Sequence, residues 1–545
     1  MQTLTELASQ RKDLPIWIAA GVLLLLCALL TMLLLSRYSP VFTSNDGAQY
    51  LSTAKYIVNG DGLKTDILFF DTHYRSGDMP AVQTVWPPGF PLLIAATSAA
   101  TGVGLHQSAF LVGLIGLLGV GPLVFAILRH TACTRHAALL GACLCLGFAH
   151  SWIYPLVIST ETVFVLLTLA SLYFVSVQRS IWRVDYWVLA GAMAGGAFLM
   201  RYTGVFHVAA VGLWLVKEWL WGTSNLKWRQ VVAFSIVPAL VIGGVFVANY
   251  LLVGSITSRS GGDAGLSLLE AVLAFRWPLA DLMGYLPEGF FSDRSAYIGL
   301  ALFFFGCAFY IFRERGQLLS NTGTLASQPV LQISLIYIAV TVAYMLYLTW
   351  GAAPGIVVAR YLAPLVPFAV VSLFLFTERL PPVNSFATAG AIVLIAIVFE
   401  VGQANNAARL IELQKEGARI ASYLSKSYDE GGTLRDYLRE ATDNGSVFSN
   451  EPQVLSYYLN RPTLGPPDDR DFTTQVFDAA RVKRLIEKYT IKLVVFFPNP
   501  PLARPPTSPK APQIFQELAT GQIPIWLKLE YSSDFMRTYR PVLNK

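Results

Sequence analysis

A carboxylate serves as a general base when it stands ionised beside a hydroxyl that must lose its proton. Asp46, in the stretch SPVFTSNDGAQYLSTAKYIVNGDG (residues 39–62), is the first candidate for that chemistry. It follows a leucine run, AAGVLLLLCALLTMLLLSRY, which has the length and apolarity of a membrane span. Beyond it Tyr50, Leu51, Ala54, Ile57 and Val58 recur at helical spacing, with Gln49, Lys55 and Asn59 on the other side. That pattern predicts an amphipathic helix lying on the membrane surface. Asp46 also fits the N-cap of this helix, with Gln49 three residues on completing a capping box. The two roles are compatible, because a helix N-terminus keeps a carboxylate ionised.

Other groups add to this chemistry. In YPLVISTETVF, Glu161 follows Ser159 and Thr160 at the start of an apolar run, a place where capping alone would account for it. FLMRYTGVFH and VVARYLAPLVPF each set an Arg-Tyr pair, Arg201–Tyr202 and Arg360–Tyr361, at a membrane boundary. Such a pair is either an interfacial anchor with a snorkelling side chain or a phosphate site, since guanidinium binds phosphate bidentately. After Asp46 the loop carries Asp61, Asp66, Asp71, Asp78, His73 and Arg75, which read as a solvated face. It ends in WPPGFP, where Trp86, Pro87 and Pro88 make a rigid, aromatic-flanked return to the bilayer. His207, one turn into a span, reads as a packed polar residue. Cys27, Cys133, Cys143, Cys145 and Cys307 show neither metal-ligand spacing nor a disulfide framework.

The elements that must hold these residues are apolar helices. Of the 545 residues, 54% are hydrophobic and 14% charged, with a mean hydropathy of +0.51; soluble domains carry roughly 25% charge. The chain therefore reads as a polytopic α-helical membrane protein. Its net charge of +6 comes from Lys and Arg in loops and is no argument for nucleic acid. Apolar runs at 16–35, 106–128, 137–153, 161–178, 186–200, 203–220, 231–252, 296–312, 331–350, 362–377 and 385–401 predict about eleven transmembrane helices. FPLLIAATSAATG (90–102) reads as a shorter interfacial or re-entrant piece. The first run is too long for a signal-peptide core and lacks a small-residue cleavage site, so it is expected to be retained. RHTACTRH, VQRSIWRVD, KEWLWGTSNLKWRQ, RERGQ and ERLPP each carry Lys or Arg. The positive-inside rule then puts the N-terminus in the cytoplasm, with loop 37–90 and the C-terminal part outside.

Composition shifts near residue 402. The charged helical pattern NNAARLIELQKEGARIASYLSKSY is followed by strand-like GSVFSN and IKLVVFFP, with VFDAARVKRLIEKYT helical between them. Asn450 before Glu451 and Pro452 fits a helix N-cap. FPNPPLARPPTSPKAP (497–512) holds seven prolines and must be extended. The expected organisation is a transmembrane domain over 1–401, including the first outside loop 37–90, and a small extracytoplasmic α/β domain over 402–545.

The acidic DGAQY just outside the first span, with Gly60 and Gly62 after it and PPGFPLL leading back to the membrane, resembles the GT-C superfamily of glycosyltransferases. These include the protein O-mannosyltransferases and lipid A aminoarabinose transferases. Many in the mannosyltransferase branch have Glu after the loop Asp; here Gly47 follows Asp46. The resemblance implies a GT-C-like fold in the inner membrane and a donor of polyprenyl-phosphate-linked sugar. It implies a lipid, glycan or protein acceptor, and chemistry that is metal-independent or uses a weakly bound divalent cation. Asp46 would be the catalytic base, with Glu161 a second acid near the site. Arg201, Tyr202, Arg360 and Tyr361 would meet the donor phosphate, while Tyr50, Trp86, Pro87 and Pro88 position the loop. The competing classes are a transporter or lipid flippase, which calls for ionisable groups at mid-span or paired broken helices, and a non-enzymatic envelope scaffold.

Overall fold

The structure is a computed structural model describing residues 21, 24–42, 44–68, 77–131, 133–177, 184–221, 228–256, 267–274, 329–351, 359–377, 410–429, 432–443, 445–466, 478–500 and 511–542. It is mostly helical. The membrane part begins with α1 (Leu24–Arg37). The first loop follows, with α2 (Asn45–Val58), β1 (Lys64–Thr65), β2 (Ile67–Leu68) and β3 (Ala81–Val82). Then come α3 (Gly89–Thr101), α4 (Leu105–His130), α5 (Arg135–Gly147), α6 (Ala149–Leu156), α7 (Glu161–Val177), α8 (Val184–Met200), α9 (Gly204–Trp221) and α10 (Trp228–Val253). After these stand α11 (Leu268–Ala274), α12 (Pro329–Gly351), the single turn α13 (Ala359–Leu362) and, past a 3-10 turn at Ala363–Leu365, α14 (Val366–Thr377).

Among the described residues, three helices are long and apolar enough to cross a membrane: α4, α10 and α12 through Trp350. With the shorter apolar helices α1, α3, α5, α7 and the segment Arg360–Leu375, they make a multi-pass membrane protein. The expected spans 296–312 and 385–401 lie outside the described residues. The expected span 137–153 is two helices, α5 and α6, parted at Phe148, whose ψ of 108° is extended rather than helical. α10 turns Leu240 and Leu251 outward, 70% and 78% exposed, as a lipid-facing surface requires.

Beyond the bundle a helix over 410–424 (α15) leads into β4 (Ser427–Asp429), β5 (Gly432–Thr433), α16 (Leu434–Thr442), β6 (Ser446–Ser449) and α17 (Pro452–Leu459). There follow β7 (Thr463–Leu464), α18 (Ala479–Lys488), β8 (Ile491–Phe496), α19 (Gln513–Ala519), β9 (Leu527–Ser532) and β10 (Arg537–Pro541). Six strands form one sheet in the order β2-β7-β6-β8-β10-β9. The pairs β2–β7, β7–β6 and β6–β8 are parallel, while β10 runs antiparallel to both β8 and β9. β8 is hydrophobic on both faces and is covered on both. One side packs Val494 and Phe496 with Ile486 and Phe515; the other packs Leu493 and Val495 with Leu438 and Leu455. The first loop thus supplies an edge strand to a sheet otherwise made from residues after 445.

α2 sits between the two parts. Tyr50 and Ala54 belong to the core of the bundle, with Phe90 and Ile94, while Ala48 belongs to a core of the sheet region, with Val454 and Leu455. This corrects the expectation of a helix lying on the membrane surface. Its polar side is covered too: Gln49 is 1% exposed and donates to the Ile67 carbonyl, at 3.3 Å. Asp66 is likewise no solvated acid. It is buried and paired with Lys55, while the Tyr56 hydroxyl donates to it at 2.5 Å and Ser52 accepts from its backbone N–H. Asp61 and Asp78 are exposed as expected, whereas Asp71, His73 and Arg75 lie outside the described residues. Asn450 does not cap α17. Glu451 holds the cap position, and the Asn450 amide instead exchanges two hydrogen bonds with the backbone of Phe497, at 2.9 and 3.0 Å.

Candidate active site

The first turn of α2 decides where Asp46 points. The N-cap is Ser44, extended at φ −156° and ψ 147°, and its Oγ accepts from the Gly47 N–H at 2.9 Å. The same hydroxyl donates to the Val157 carbonyl at 2.7 Å, fixing α2 to the turn before α7. Asp46 is therefore not the cap and is free to face elsewhere. Gly47 is dictated by the same contact: a Cβ there would lie 2.7 Å from Ser44 Oγ, 3.1 Å from Ile158 Cβ and 3.2 Å from the Val157 carbonyl oxygen. The glutamate common at this position in the mannosyltransferase branch would not fit.

Asp46 faces Arg360, whose Nη1 donates to Asp46 Oδ2 at 2.5 Å. Arg360 stands on α13, just before the 3-10 turn that leads into α14. A second pair stands beside the first. Glu161, the first residue of α7, pairs with Arg201 just past the end of α8 and also accepts from the Ser159 hydroxyl. Arg201 reaches Thr160 Oγ1 as well, at 3.3 Å. Ile158, two residues before Thr160, has a positive φ of 52°, which a β-branched residue tolerates only under constraint from its surroundings. It turns the chain so that Val157 meets α2 while Ser159 and Thr160 meet the ion pair.

Tyr361 joins the two pairs. The guanidinium carbons of Arg201 and Arg360 lie 5.3 and 5.4 Å from the centre of its ring, within cation–π range. Tyr50, 3% exposed, packs edge-to-face on Phe90 at 5.2 Å and 82° and lies 6.3 Å from the Trp86 ring. Burial first, and then the Asp46 charge, push the Tyr50 hydroxyl well above its usual range, so it stays neutral. Pro88 precedes the first residue of α3, and Gly89 lets that helix meet the end of α8: a Cβ would fall 2.6 Å from the Leu199 carbonyl oxygen. That contact places Arg201.

The expected site residues thus divide. Asp46, Glu161, Arg201, Arg360 and Tyr361 converge, with Tyr50 beside them. Tyr202 turns away: its hydroxyl donates to the Thr84 carbonyl at 3.0 Å and accepts from Asn249 at 3.1 Å, tying the loop before Trp86 to α10. Trp86, Pro87 and Pro88 shape the return into α3. His207 is fully buried against the rings of Tyr337 and Phe368. The expected set leaves out Ser44 and Ile158, and it includes Ser159 only as a neighbour of Glu161. Ser44 had a signal, since it precedes Gly47 by the three residues that a cap requires; Ile158 had none. Among the described residues no group of three His, Cys, Asp or Glu side chains could hold a metal.

Comparison with known proteins bears on the fold and the class of the chain. The family described as dolichyl-phosphate-mannose-protein mannosyltransferase matches residues 85–243. No curated protein matches the sequence. ArnT from Cupriavidus metallidurans bound to undecaprenyl phosphate is a similar solved structure, at a TM-score of 0.53 and 13% identity, over 95% of this chain and 98% of that one. The Archaeoglobus fulgidus oligosaccharyltransferase in complex with Zn and sulfate matches with a TM-score of 0.51 and 14% identity, over 87% of this chain and 68% of that one. Arabinofuranosyltransferase AftD from Mycobacteria has a TM-score of 0.51 and 14% identity, over 96% of this chain but 40% of its own. At such identities the structural likeness is one of fold. With the family match, it bears out the resemblance to the GT-C superfamily and the glycosyltransferase class.

Proposed function

We propose that the chain transfers a sugar from a polyprenyl-phosphate donor to an acceptor hydroxyl at the extracytoplasmic face of the membrane, with Asp46 as general base. The observation that carries this reading is the pairing of two carboxylates with two arginines around one tyrosine ring, at the start of α2 and α7, on α13 and at the end of α8. Asp46 takes the proton of the acceptor hydroxyl as its oxygen attacks the anomeric carbon. The bond from that carbon to the donor phosphate oxygen breaks, inverting the centre, and the electron pair leaves with the phosphate. Arg360 and Arg201 offset the charge that grows on the departing group. Glu161, 1% exposed and held by Ser159 and Arg201, serves as the foundation that keeps the Arg201 guanidinium in place.

The similar ArnT structure is bound to undecaprenyl phosphate, which supports a lipid-phosphate donor. A transporter would need its ionisable pairs at mid-span. Among the described residues of the bundle, these two pairs gather at one end, and Lys217–Glu218 lies toward the far end of α9. The domain over 402–545, on this reading, is extracytoplasmic and holds α2 from the side away from the bilayer.

Asp46→Asn keeps the shape and removes the base. Transfer from a labelled lipid-linked sugar donor in membranes is expected to fall by about 10²–10⁴-fold. Wild-type turnover by the folded variant would remove Asp46 from the chemistry.

A further inference from the structure

The two ion pairs differ in how tightly they are enclosed. In Glu161–Arg201 the side chains are 1% and 11% exposed, and Ser159 and Thr160 bond to the pair as well. In Asp46–Arg360 they are 12% and 32% exposed, and the arginine is the open member. Asp46 is short and fixed on α2, which is packed into two cores. Arg360 is long, carries five N–H donors, and rises from a single helical turn. If this pair opens, the guanidinium is the part that moves.

Building on the proposed glycosyl transfer, we infer that Asp46 and the lipid phosphate compete for the Arg360 guanidinium, so that this ion pair is a latch on the base that the donor opens. The charges of the reaction support the exchange. A polyprenyl-phosphate sugar is a phosphodiester with one negative charge, and Asp46 carries another. When Asp46 accepts the acceptor's proton it becomes neutral, and the phosphate leaves with two charges; the sum is minus two on both sides. Before transfer Asp46 holds a share of Arg360. After transfer the neutral acid has little claim on it and the phosphate dianion has a strong one. Loss of the proton to water restores the carboxylate, which takes Arg360 back and helps to expel the lipid phosphate. The same arginine therefore quiets the base without donor and supports the leaving group with it. Glu161 is enclosed with Arg201 and takes no part in the exchange.

The test is the affinity of the purified full chain, in lipid nanodiscs, for undecaprenyl phosphate. Arg360→Gln is expected to weaken binding about fivefold, and Asp46→Asn to tighten it by a similar factor, the scale of one partly exposed charged contact. The double variant should bind no better than Arg360→Gln alone, because the gain from Asp46→Asn acts through Arg360. If Arg360→Gln weakens binding and Asp46→Asn leaves it unchanged, the latch is wrong and the phosphate role of Arg360 stands. A gain that survives in the double variant also overturns the latch, since it then reflects general charge removal. Unchanged binding in Arg360→Gln overturns both the latch and that phosphate role. Should Arg360→Gln not fold, Arg360→Met carries the same test: it keeps the length of the side chain without the charge, and the gain from Asp46→Asn must vanish.

Discussion

The two sides of α2 are held by different forces. Toward the bundle the contact is apolar and shaped: Tyr50 and Ala54 against Phe90, Ile94 and Trp86. Toward the sheet it is mostly polar and directional: Gln49 to the Ile67 carbonyl, Lys55 to Asp66 and Asn460, Ser52 to the Asp66 backbone, with Ala48 the one small apolar contact. The difference follows from the surroundings. Near a bilayer, apolar burial alone does not favour one protein neighbour over lipid, so close packing must select the pose. On the aqueous side water competes for every polar group, and a paired, buried set of hydrogen bonds selects it instead. The membrane face should therefore fail when shape is lost, and the sheet face when volume or a bond is changed.

Removing Tyr50 is the largest expected disturbance. Tyr50→Ala takes a buried ring out from between Phe90 and Trp86 and should cost ~3–5 kcal/mol of stability, read as a fall in thermal unfolding temperature in detergent. Tyr50→Phe keeps the shape and should stay near wild type. Equal losses in the two variants would show that the hydroxyl, not the packing, secures this face.

Much of this was legible in the sequence, and the remainder was not for identifiable reasons. The apolar runs that become α4, α7, α8, α9, α10 and α12 stand out because lipid demands them. The strands β6 and β8 follow from short β-branched and aromatic runs. The convergence of Asp46 with Arg360, 314 residues apart, is a tertiary event; spacing placed both near a boundary but could not pair them. The N-cap is ambiguous in the sequence because Ser44, Asn45 and Asp46 are three cap-capable residues in a row. Only the Val157 carbonyl, contributed by a distant turn, decides for Ser44. β2 is two residues long, too short for any periodicity, and becomes a strand only because β7 is there to pair with it.

On the sheet side, overpacking is the next test. Ala48 is 4% exposed in a core with Val454 and Leu455. Ala48→Leu should destabilise the chain by ~1–3 kcal/mol, and because it tilts α2 it should also lower transfer activity. Loss of stability with full activity would mean that the pose of Asp46 is set from the bundle alone.

The smallest expected effect separates backbone from side chain at one residue. Asn460 ends α17 in the left-handed region, φ 55° and ψ 46°, and its Oδ1 accepts from Lys55 at 3.0 Å. Asn460→Gly keeps the backbone comfortable and removes only this exposed bond, so about 0.5–1 kcal/mol or less is expected in equilibrium unfolding. Asn460→Ala removes the same bond and also forces an alanine into the left-handed region, adding roughly 1–2 kcal/mol. If the bond to Lys55 is what ties α17 to α2, both variants should lower transfer activity by a similar small factor while their stabilities diverge. If activity instead follows stability, α17 supports α2 through the Ala48 core, and the Lys55 contact is incidental to the placement of Asp46.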